Sequence, residues 1–316
     1  MATTPPRLQS LVWTLLEAYC ARHNLKLTRL DDYGHSGLVE NPAGQRRFFL
    51  GTHFDLNPLG ASEIADDKAA SLKLFQSDGL IIPEGVVLSG KNASNSAIQF
   101  SERVGFPVFL KPNTGQEGQD VERLETPEQL KSACTRLLEH HRLLLLQEAI
   151  SGEDLRVLVL EGEVLGVIKR SPPTVTGDGV RSLKTMIEQL DAGLLADPRC
   201  AACLASQNLS LDCVPEKGQV IALLSNANLS SGGKGHLLDG PTPLTIKDAA
   251  IRAANSLGLR YAGVDMIVKA DGQPILLEIN AAPGLARFAA QGPSDRAVAA
   301  QFYERVFDAF TVSFRQ

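Results

Sequence analysis

The stretch PILLEINAAPGL, residues 274–285, begins as a buried strand and ends in polar side chains. Residues 275–277 are apolar, whereas Glu278 and Asn280 follow at alternate positions, just before a Pro-Gly turn. Side chains two residues apart on a strand share one face of the sheet, so this carboxylate and this amide point the same way. They either cap the end of the strand or belong to a ligand site.

An acidic residue on the preceding strand favours the ligand site. AGVDMIVKADGQPILLEIN, residues 262–280, predicts a hairpin with a two-residue turn at Asp271-Gly272, which brings Asp265 near the face of Glu278 and Asn280. Two carboxylates and an amide oxygen suit Mg²⁺, which takes phosphate oxygens among its other ligands. The alternative, that these groups satisfy loop amides, stays open at this point.

A second feature is FLKPNTGQEGQD, residues 109–120. Lys111 lies in an apolar strand directly before a loop that carries Gly115 and Gly118. Glycine lets the backbone N–H groups of a loop approach phosphate oxygens, and the lysine would add a point charge. The spacing is not that of a P-loop. A solvated lysine before a flexible turn explains the same pattern.

A third feature is LLLQEAISGEDLRVL, residues 144–158, in which a strand runs into a short connector. Gln147 is a candidate acceptor for an exocyclic amine of adenine, and Asp154 for ribose hydroxyls. A connector between two subdomains also needs no ligand, so this feature alone is weak evidence.

The composition excludes several classes of protein. The chain has 316 residues, of which 44% are hydrophobic and 21% charged, and its net charge is −5, which argues against broad binding to nucleic acid. The N-terminus lacks the pattern of a signal peptide and no apolar run could cross a bilayer, so we expect a cytoplasmic protein without a membrane partner. We expect the five cysteines, Cys20, Cys134, Cys200, Cys203 and Cys213, to be reduced thiols. The last three could suggest zinc, but no fourth Cys or His falls at ligand spacing, so ordinary packing is preferred.

The patterning along the chain predicts an α+β fold. Helices are expected at residues 9–24, 66–79, 94–104, 126–140, 181–191, 245–258 and 294–312. Strands are expected in SGLVE, RRFFLG, IIPEGVVL, FPVFLKP, LLLLQEA, DLRVLVLEGEVLGVIKR (a hairpin about Glu161-Gly162), GQVIALLS and the hairpin already described.

The order of lysine strand, glycine loop, connector and paired acidic strands resembles the ATP-grasp superfamily. SGEDLRVLVLEGEVLGVIKRSPPTVTGDGVRSL, DPRC, LSNANLSSGG and AGVDMIV…LLEINAAPGLARF are similar to the ATP-grasp module of cyanophycin synthetases and of fusion-type glutathione synthetases. The resemblance runs over residues 15–292. It implies an ATP-grasp fold with a truncated N-terminal pre-ATP-grasp subdomain (1–92), a small central lid subdomain (93–150) and a large C-terminal subdomain with the Mg-ATP and substrate site (151–316).

The resemblance also implies roles for particular residues. Asp265, Glu278 and Asn280 fall on the ligands of Mg²⁺, with two ions expected and Mn²⁺ as an alternative metal. Gln147 stands where the superfamily commonly has a glutamate. The ATP-binding residues implied are Lys68, Lys111, Thr114, Gly115, Gly118, Gln147, Glu148, Ala149, Ile150 and Asp154.

Three further residues match polar positions between the nucleotide and the carboxylate substrate: Arg156, Arg170 and Asn228. The superfamily often has an arginine two residues before the first Mg²⁺ aspartate, where this chain has Gly263. The task of stabilising the tetrahedral intermediate would therefore fall to Arg170 or Arg156. Residues 230–233 and Pro283-Gly284 resemble backbone-rich loops at the acyl phosphate.

By this resemblance we expect an ADP-forming ligase that joins the carboxylate of an amino acid or peptide to an amine through an acyl phosphate. Cyanophycin synthetases have a longer N-terminal domain and a second ATPase module, so a stand-alone enzyme is expected, with a homodimer as one way to complete the substrate wall. The alternatives are a ligase that adds amino acids to a protein and a non-catalytic ATP-binding subunit.

Overall fold

The protein is described from a computed structural model that covers residues 9–115 and 118–312. Helices and antiparallel strands both contribute to it, as the α+β pattern of the sequence predicts. None of the helices in these two ranges is long and apolar enough to cross a membrane.

The strands of the described residues form four antiparallel sheets. In chain order they are β1 (Lys26–Arg29), β2 (Ser36–Glu40), β3 (Arg46–Leu50), β4 (His53–Phe54), β5 (Gly85–Leu88), β6 (Val108–Pro112), β7 (Glu122–Leu124), β8 (Leu144–Glu148), β9 (Glu153–Leu160), β10 (Glu163–Ser171), β11 (Thr174–Thr176), β12 (Val220–Ala222), β13 (Lys234–Leu237), β14 (Tyr261–Val268) and β15 (Pro274–Asn280).

The helices cover the faces of these sheets. They are α1 (Leu11–Arg22), α2 (Leu59–Asp66), α3 (Lys68–Ser77), α4 (Ala93–Val104), α5 (Pro127–Leu138), α6 (Leu183–Leu190), α7 (Ala192–Ala196), α8 (Pro198–Ser206), α9 (Leu244–Ser256), α10 (Ala286–Ala289) and α11 (Pro293–Val312), with a short 3₁₀ turn at Leu229–Ser231.

The largest sheet has the order β13-β10-β9-β14-β15 and is buried on both faces. Alternate residues of β9 show this directly, because Val157 and Val159 pack into a core shared with α3 and α9, whereas Leu158 and Leu160 pack into an aromatic core shared with α1 and α11. A strand buried on both faces reads as a continuous apolar run, so its polar residues are conspicuous.

A second sheet, of order β5-β8-β6-β7, packs against α4 and α5. Its central strand β8 alternates in the same way, since Leu144 and Leu146 face these helices and Leu145 faces the core of the large sheet. The N-terminal sheet runs β1-β2-β3-β4 and joins the aromatic core through Phe49 and Phe54. The small sheet β11-β12 packs with α6, α7 and α8 in a core of its own.

The sequence located most of these elements, and three differences have physical causes. The β14–β15 connection spans residues 269–273, so the prediction of a two-residue turn is wrong; Lys269 and Gln273 close a longer loop by a backbone hydrogen bond. The strands expected in IIPEGVVL and GQVIALLS are limited to β5 and β12, the former because Pro83 precedes it. The short helices α2, α7, α8 and α10 were not predicted, since each spans too few turns to show a periodicity. The division into three subdomains remains a prediction.

Candidate active site

A cavity of about 850 Å³ opens between the large sheet and the β5–β8 sheet. Within the described part of the chain, every predicted site residue except Ala149 lines this cavity. The predicted residues that do line it are Lys68, Lys111, Thr114, Gly115, Gly118, Gln147, Glu148, Ile150, Asp154, Arg156, Arg170, Asn228, Asp265, Glu278 and Asn280.

The acidic residues of the β14–β15 hairpin meet as the alternation of the sequence suggested. Asp265 stands directly opposite Glu278 in the register of the two strands, and Asn280 stands opposite Gly263. A bulge follows Asp265 and shifts the register toward the turn. Asp265 is buried, whereas the Glu278 side chain is 29% exposed. The hairpin therefore presents one buried and one accessible carboxylate on the cavity wall.

Two arginines hold the buried carboxylate of Asp265. Arg156 donates from Nε to Oδ1 and from Nη2 to Oδ2, both at 2.7 Å, and Arg170 donates from Nη1 to Oδ2 at 2.9 Å. Burial by itself raises the pKa of Asp265, but the two guanidinium groups outweigh it and hold the pKa well below the usual range. Asp265 is thus a fixed negative charge at the centre of a cationic pair.

Asp154 completes this network from the neighbouring strand. Its Oδ1 accepts from Arg170 Nε at 2.7 Å, so it is already engaged by an arginine at the position where a ribose acceptor was expected. Burial raises the pKa of Asp154, and the Arg170 charge opposes this rise. Burial lowers the pKa of Arg170, but Asp265 and Asp154 more than compensate, so this buried arginine keeps its charge.

Two lysines approach the same wall from different elements. Lys68 is the first residue of α3, and Lys111 lies in β6; both are buried, at 8% and 9% exposure. Lys68 Nζ donates to the Gly115 carbonyl at 2.8 Å and lies 3.7 Å from Glu278 Oε2. Burial lowers the pKa of Lys111, and Lys68 lowers it further, while Glu278 and Asp265 oppose the change. An anionic ligand between these lysines would relieve their mutual repulsion.

Lys68 is positioned by the cap of its helix. Asp67 is the N-cap of α3 and accepts from the Ala70 N–H, while its Oδ1 also accepts from the Asn113 side chain. Asn113, which follows β6, accepts from the Ala69 N–H through its side chain and from the Lys68 N–H through its carbonyl. The start of α3 is therefore tied to the end of the lysine strand.

The glycine loop after β6 is described on both sides of Gln116 and Glu117, which lie outside the described residues. Gly115 and Gly118 both have positive φ, 134° and 71°. A Cβ on Gly118 would lie 1.9 Å from Asn228 Nδ2. Glycine is therefore required where the loop packs against residues 225–230, which line the cavity. The sequence placed Asn228 and Gly118 in the site independently, and the structure brings them together.

Gln147 and Glu148 line the cavity from β8, which pairs with the strand that carries Lys111. Gln147 is buried, and its Nε2 finds no hydrogen-bond partner among the described residues. Glu148 Oε1 accepts from the Glu84 N–H at 2.9 Å and thus holds the start of β5. A buried amide without a partner is costly, and it marks a position where a ligand acceptor would be stabilised.

The donor set of the hairpin fits a hard divalent cation. Glu278 offers an accessible carboxylate and Asn280 an amide oxygen on the same wall. The Nδ2 of Asn280, a donor that cannot bind a cation, is buried and unpaired within the described residues. Asp265 is occupied by arginines in this structure. Within residues 9–115 and 118–312 no group of three His, Cys, Asp or Glu side chains forms a metal site, and Cys200 and Cys203 are buried in α8 and lie in packed surroundings.

Pro283 explains why this chain has glycine at position 263. A Cβ on Gly263 would lie 2.8 Å from Pro283 Cβ and 3.7 Å from Arg156 Cδ, so no arginine fits there. Arg156 reaches Asp265 instead from the adjacent strand β9, where it is directly opposite in register.

Several residues in contact with the site escaped the sequence analysis. Thr52 lines the cavity and donates to the Ala282 carbonyl at 2.7 Å, and Asn226 lines it with a buried Oδ1 that has no partner in the described ranges. Arg199 donates to the carbonyl of Gly118. Thr52 and Asn113 carry no periodic or spacing signal, because their roles depend on contacts between distant segments. Arg199 and Asn226 lie in the stretches DPRC and LSNANLSSGG, where the resemblance could have indicated them.

Comparison with known proteins relates the chain to ligases. It is 28% identical over 243 residues to the cyanophycin synthetase of Trichormus variabilis and 25% identical over 219 residues to the glutathione biosynthesis bifunctional protein of Desulfotalea psychrophila. These matches cover 70% and 64% of this chain but only 27% and 28% of those proteins. The chain thus spans about a quarter of the length of these relatives.

Solved structures share the fold at lower identity. The bifunctional glutathione synthetase of Pasteurella multocida superposes over 89% of this chain and 41% of its own, with a TM-score of 0.56 and 19% identity. A D-alanine–D-alanine ligase of Bacillus anthracis covers 79% of this chain and 67% of its own, with a TM-score of 0.53 and 19% identity. The RimK-like ATP-grasp domain matches residues 65–178 and 223–301, more than half of the chain. The chain therefore belongs to the RimK-like ATP-grasp family.

Proposed function

We propose that the protein is an ATP-dependent ligase that joins a carboxylate to an amine and forms ADP and phosphate. The observation that carries this proposal is the meeting of the opposed Asp265 and Glu278 with the buried Lys68 and Lys111 on one cavity wall. Membership of a family whose relatives are named as synthetases, and whose structural neighbours include ligases, supports it.

The reaction has two balanced steps. A substrate carboxylate oxygen attacks the γ-phosphorus of ATP, and the P–O bond to ADP breaks, which gives an acyl phosphate. The amine nitrogen then attacks the carbonyl carbon, the C–O bond to phosphate breaks, and the nitrogen loses a proton. Since oxide is a poor leaving group and phosphate a good one, the first step is what makes amide formation feasible.

The residues of this chain serve mainly to neutralise and align charge. Lys68 and Lys111 would hold the phosphates, and Glu278 and Asn280 would hold Mg²⁺, with Asp265 as a further ligand if its arginines move. The metal, when bound, neutralises phosphate charge and orients the phosphates. Arg170 and Arg156 lie beside Asp265, from where either guanidinium can stabilise the oxyanion of the tetrahedral intermediate.

Gln147 and Glu148 mark the end of the cavity at which we place adenine, with Ile150 beside them. The unpaired Gln147 Nε2 suits an acceptor nitrogen of the base better than its exocyclic amine. The carboxylate and the amine of the reaction are proposed to be an amino acid or short peptide pair.

The experiment measures ATP consumption with Mg²⁺ and pools of amino acids, and separates ADP from AMP. Hydroxylamine in the same assay traps an acyl phosphate as a hydroxamate, whose mass identifies the activated carboxylate. Substrate-dependent ADP together with a hydroxamate supports the proposal. AMP as product contradicts the acyl phosphate mechanism, and MgATP binding without turnover on any pool points to a protein substrate or a non-catalytic role.

Matched variants make the assay specific. Lys111→Ala is expected to abolish measurable turnover, whereas Lys131→Ala, an exposed lysine in α5 of the same region, is expected to leave it unchanged. Turnover that survives Lys111→Ala would come from a contaminating ATPase or from a different site.

A further inference from the structure

Residues 179–222 lie between the two ranges that match the RimK-like domain. They contain α6, α7, α8 and β12, whose apolar side chains form a separate core. Although they lie outside the matched ranges and do not line the cavity, these residues reach the glycine loop that does. We refer to residues 179–222 as the intervening segment.

The contact is made by Arg199 near the start of α8. Its Nη1 donates to the carbonyl oxygen of Gly118 at 2.9 Å. Asp197, the N-cap of α8, accepts from the Arg199 backbone N–H at 2.9 Å and from its guanidinium, with the shortest side-chain contact at 2.6 Å. The hydrogen bond from Arg199 holds the pKa of Asp197 below its usual range, and Asp197 raises the pKa of Arg199 in turn. Asp197 therefore orients the guanidinium group of Arg199 toward the loop.

Gly118 is constrained on other sides as well. Its φ of 71° lies in the left-handed region, and the Asn228 side chain occupies the space of a Cβ. Two residues later, Asp120 Oδ2 lies 2.8 Å from His141 Nε2, which ties the turn to the end of α5. From the intervening segment, Arg199 adds a hydrogen bond to the backbone carbonyl of Gly118. This hydrogen bond therefore helps to determine the position of the loop at Gly118.

We infer that Arg199 is a positioning residue for the nucleotide: it fixes the Gly118 end of the glycine loop over the phosphate end of the cavity. This inference rests on the proposed function, because it takes the loop to contact ATP. Arginine suits the role better than lysine, since its planar fork bonds Asp197 and the carbonyl at the same time. The intervening segment would thus act on the nucleotide site through the glycine loop.

The test compares two nucleotides by calorimetry in the presence of Mg²⁺. Adenylyl imidodiphosphate carries three phosphate positions and AMP carries one. Arg199→Ala is expected to weaken the affinity for the imidodiphosphate by about 5- to 10-fold, which lies within the range for the net loss of one ordinary hydrogen bond. AMP affinity should change less than twofold, because AMP lacks the β- and γ-phosphates that the loop is proposed to hold. Arg199→Lys should restore part of the loss.

Arg252 provides a matched control on α9. It bonds Asp248 four residues earlier and donates to a distant carbonyl, that of Asp78, at 2.7 Å. Arg252→Ala should leave both affinities unchanged. Asp197→Asn, which keeps the cap acceptor but removes the charge, and Gly118→Ala, which displaces the loop directly, should both reproduce the selective loss of imidodiphosphate affinity.

Outcomes separate this inference from the proposed function. If wild-type protein binds the imidodiphosphate and Arg199→Ala binds it equally well, the inference is wrong and the ligase proposal is untouched. An equal loss for AMP and the imidodiphosphate would also overturn it, because a general distortion of the site would then explain the change. If Arg199→Ala does not fold, the affinities of Asp197→Asn for AMP and the imidodiphosphate are compared instead, with the same criteria. Wild-type protein that binds neither nucleotide would overturn both.

Discussion

Arg156 and Asp265 stand directly opposite each other on β9 and β14 and form a bidentate ion pair. Arg170 donates to the same carboxylate from β10, so one buried anion holds two guanidinium groups in a fixed arrangement. The anion is nearly inaccessible, at 1% exposure, which makes the loss of both partners costly. The arginines of the site are therefore oriented by the acidic hairpin before any substrate arrives.

The shared carboxylate predicts strong coupling between the two arginines. Arg156→Met and Arg170→Met should each lower the free energy of unfolding by about 1–3 kcal/mol, and the double variant by more than the sum, because it alone leaves Asp265 unpaired. Urea titrations of the four proteins measure this. Adding Asp265→Asn to the double variant should recover stability. Additivity within about 0.5 kcal/mol would contradict a shared partner.

Glu278→Gln tests the accessible carboxylate of the hairpin. The change keeps the shape and removes the charge, so turnover with Mg²⁺ should fall by about 100-fold or more, the scale for loss of one charge-stabilising group. Electron paramagnetic resonance of Mn²⁺ in the presence of ATP should show weaker metal binding. Glu163→Gln, an exposed glutamate paired with Arg305, is the control and should change neither quantity.

Gln147→Leu separates nucleotide binding from stability. The unpaired Nε2 costs free energy in the unliganded protein, so leucine should leave the melting temperature unchanged or raise it. ATP affinity should nevertheless fall by about 10-fold, because a hydrogen bond to the base is lost. Gln129→Leu on the exposed surface of α5 is the control. If the Gln147→Leu variant binds ATP with normal affinity, Gln147 does not bind adenine.

The cap of α3 should matter for both stability and binding. Asp67→Ala should lower the free energy of unfolding by about 1–2 kcal/mol, because Asp67 caps the helix and bonds Asn113. ATP affinity should fall as well, since Lys68 follows the cap directly. Asn92→Ala provides the comparison, because Asn92 is the N-cap of α4 but makes no side-chain cap bond within the described residues. Equal losses for the two variants would show that capping at α3 has no special role.

The Asp197–Arg199 pair predicts a pH dependence of stability. Since Arg199 lowers the folded pKa of Asp197, the stabilisation is present above the unfolded pKa and is lost as pH falls through the folded one. The difference between wild type and Asp197→Asn should be about 0.5–1 kcal/mol at neutral pH and should shrink below about pH 4. Urea unfolding across pH 3–7 measures it. A difference that does not vary with pH would mean that the charge of Asp197 plays no part.

The sequence predicted best where local pattern and tertiary structure agree. Strands β9 and β14 contribute to both large cores and β15 to one of them, so Asp265 and Glu278 stand out in apolar runs and could be placed near one face before any coordinates. Lys111 was detectable for the same reason in β6.

The remainder depends on contacts that no local pattern encodes. The ion pairs of Asp265 require strand β9 to pair with β14 in one particular register, which is set by the packing of the whole sheet. Arg199 lies 81 residues from Gly118 along the chain, and Asn113 lies 44 from Ala69. The length of the β14–β15 turn was misjudged because Asp271-Gly272 is typical of tight hairpins, although here it lies inside a longer loop.

One side chain connects the N-terminal segment to the strands that carry the site. Asn57 donates from Nδ2 to the carbonyls of Tyr261 and Ala281, both at 2.7 Å, and accepts through Oδ1 from the N–H groups of Arg260 and Tyr261. The Asn57 side chain thus uses both its donor and its acceptor groups, and this limits which residues can replace it. Aspartate at position 57 would lack the donors and serine would lack the reach, so among descendants of this chain the position should drift only when the ends of β14 and β15 change with it.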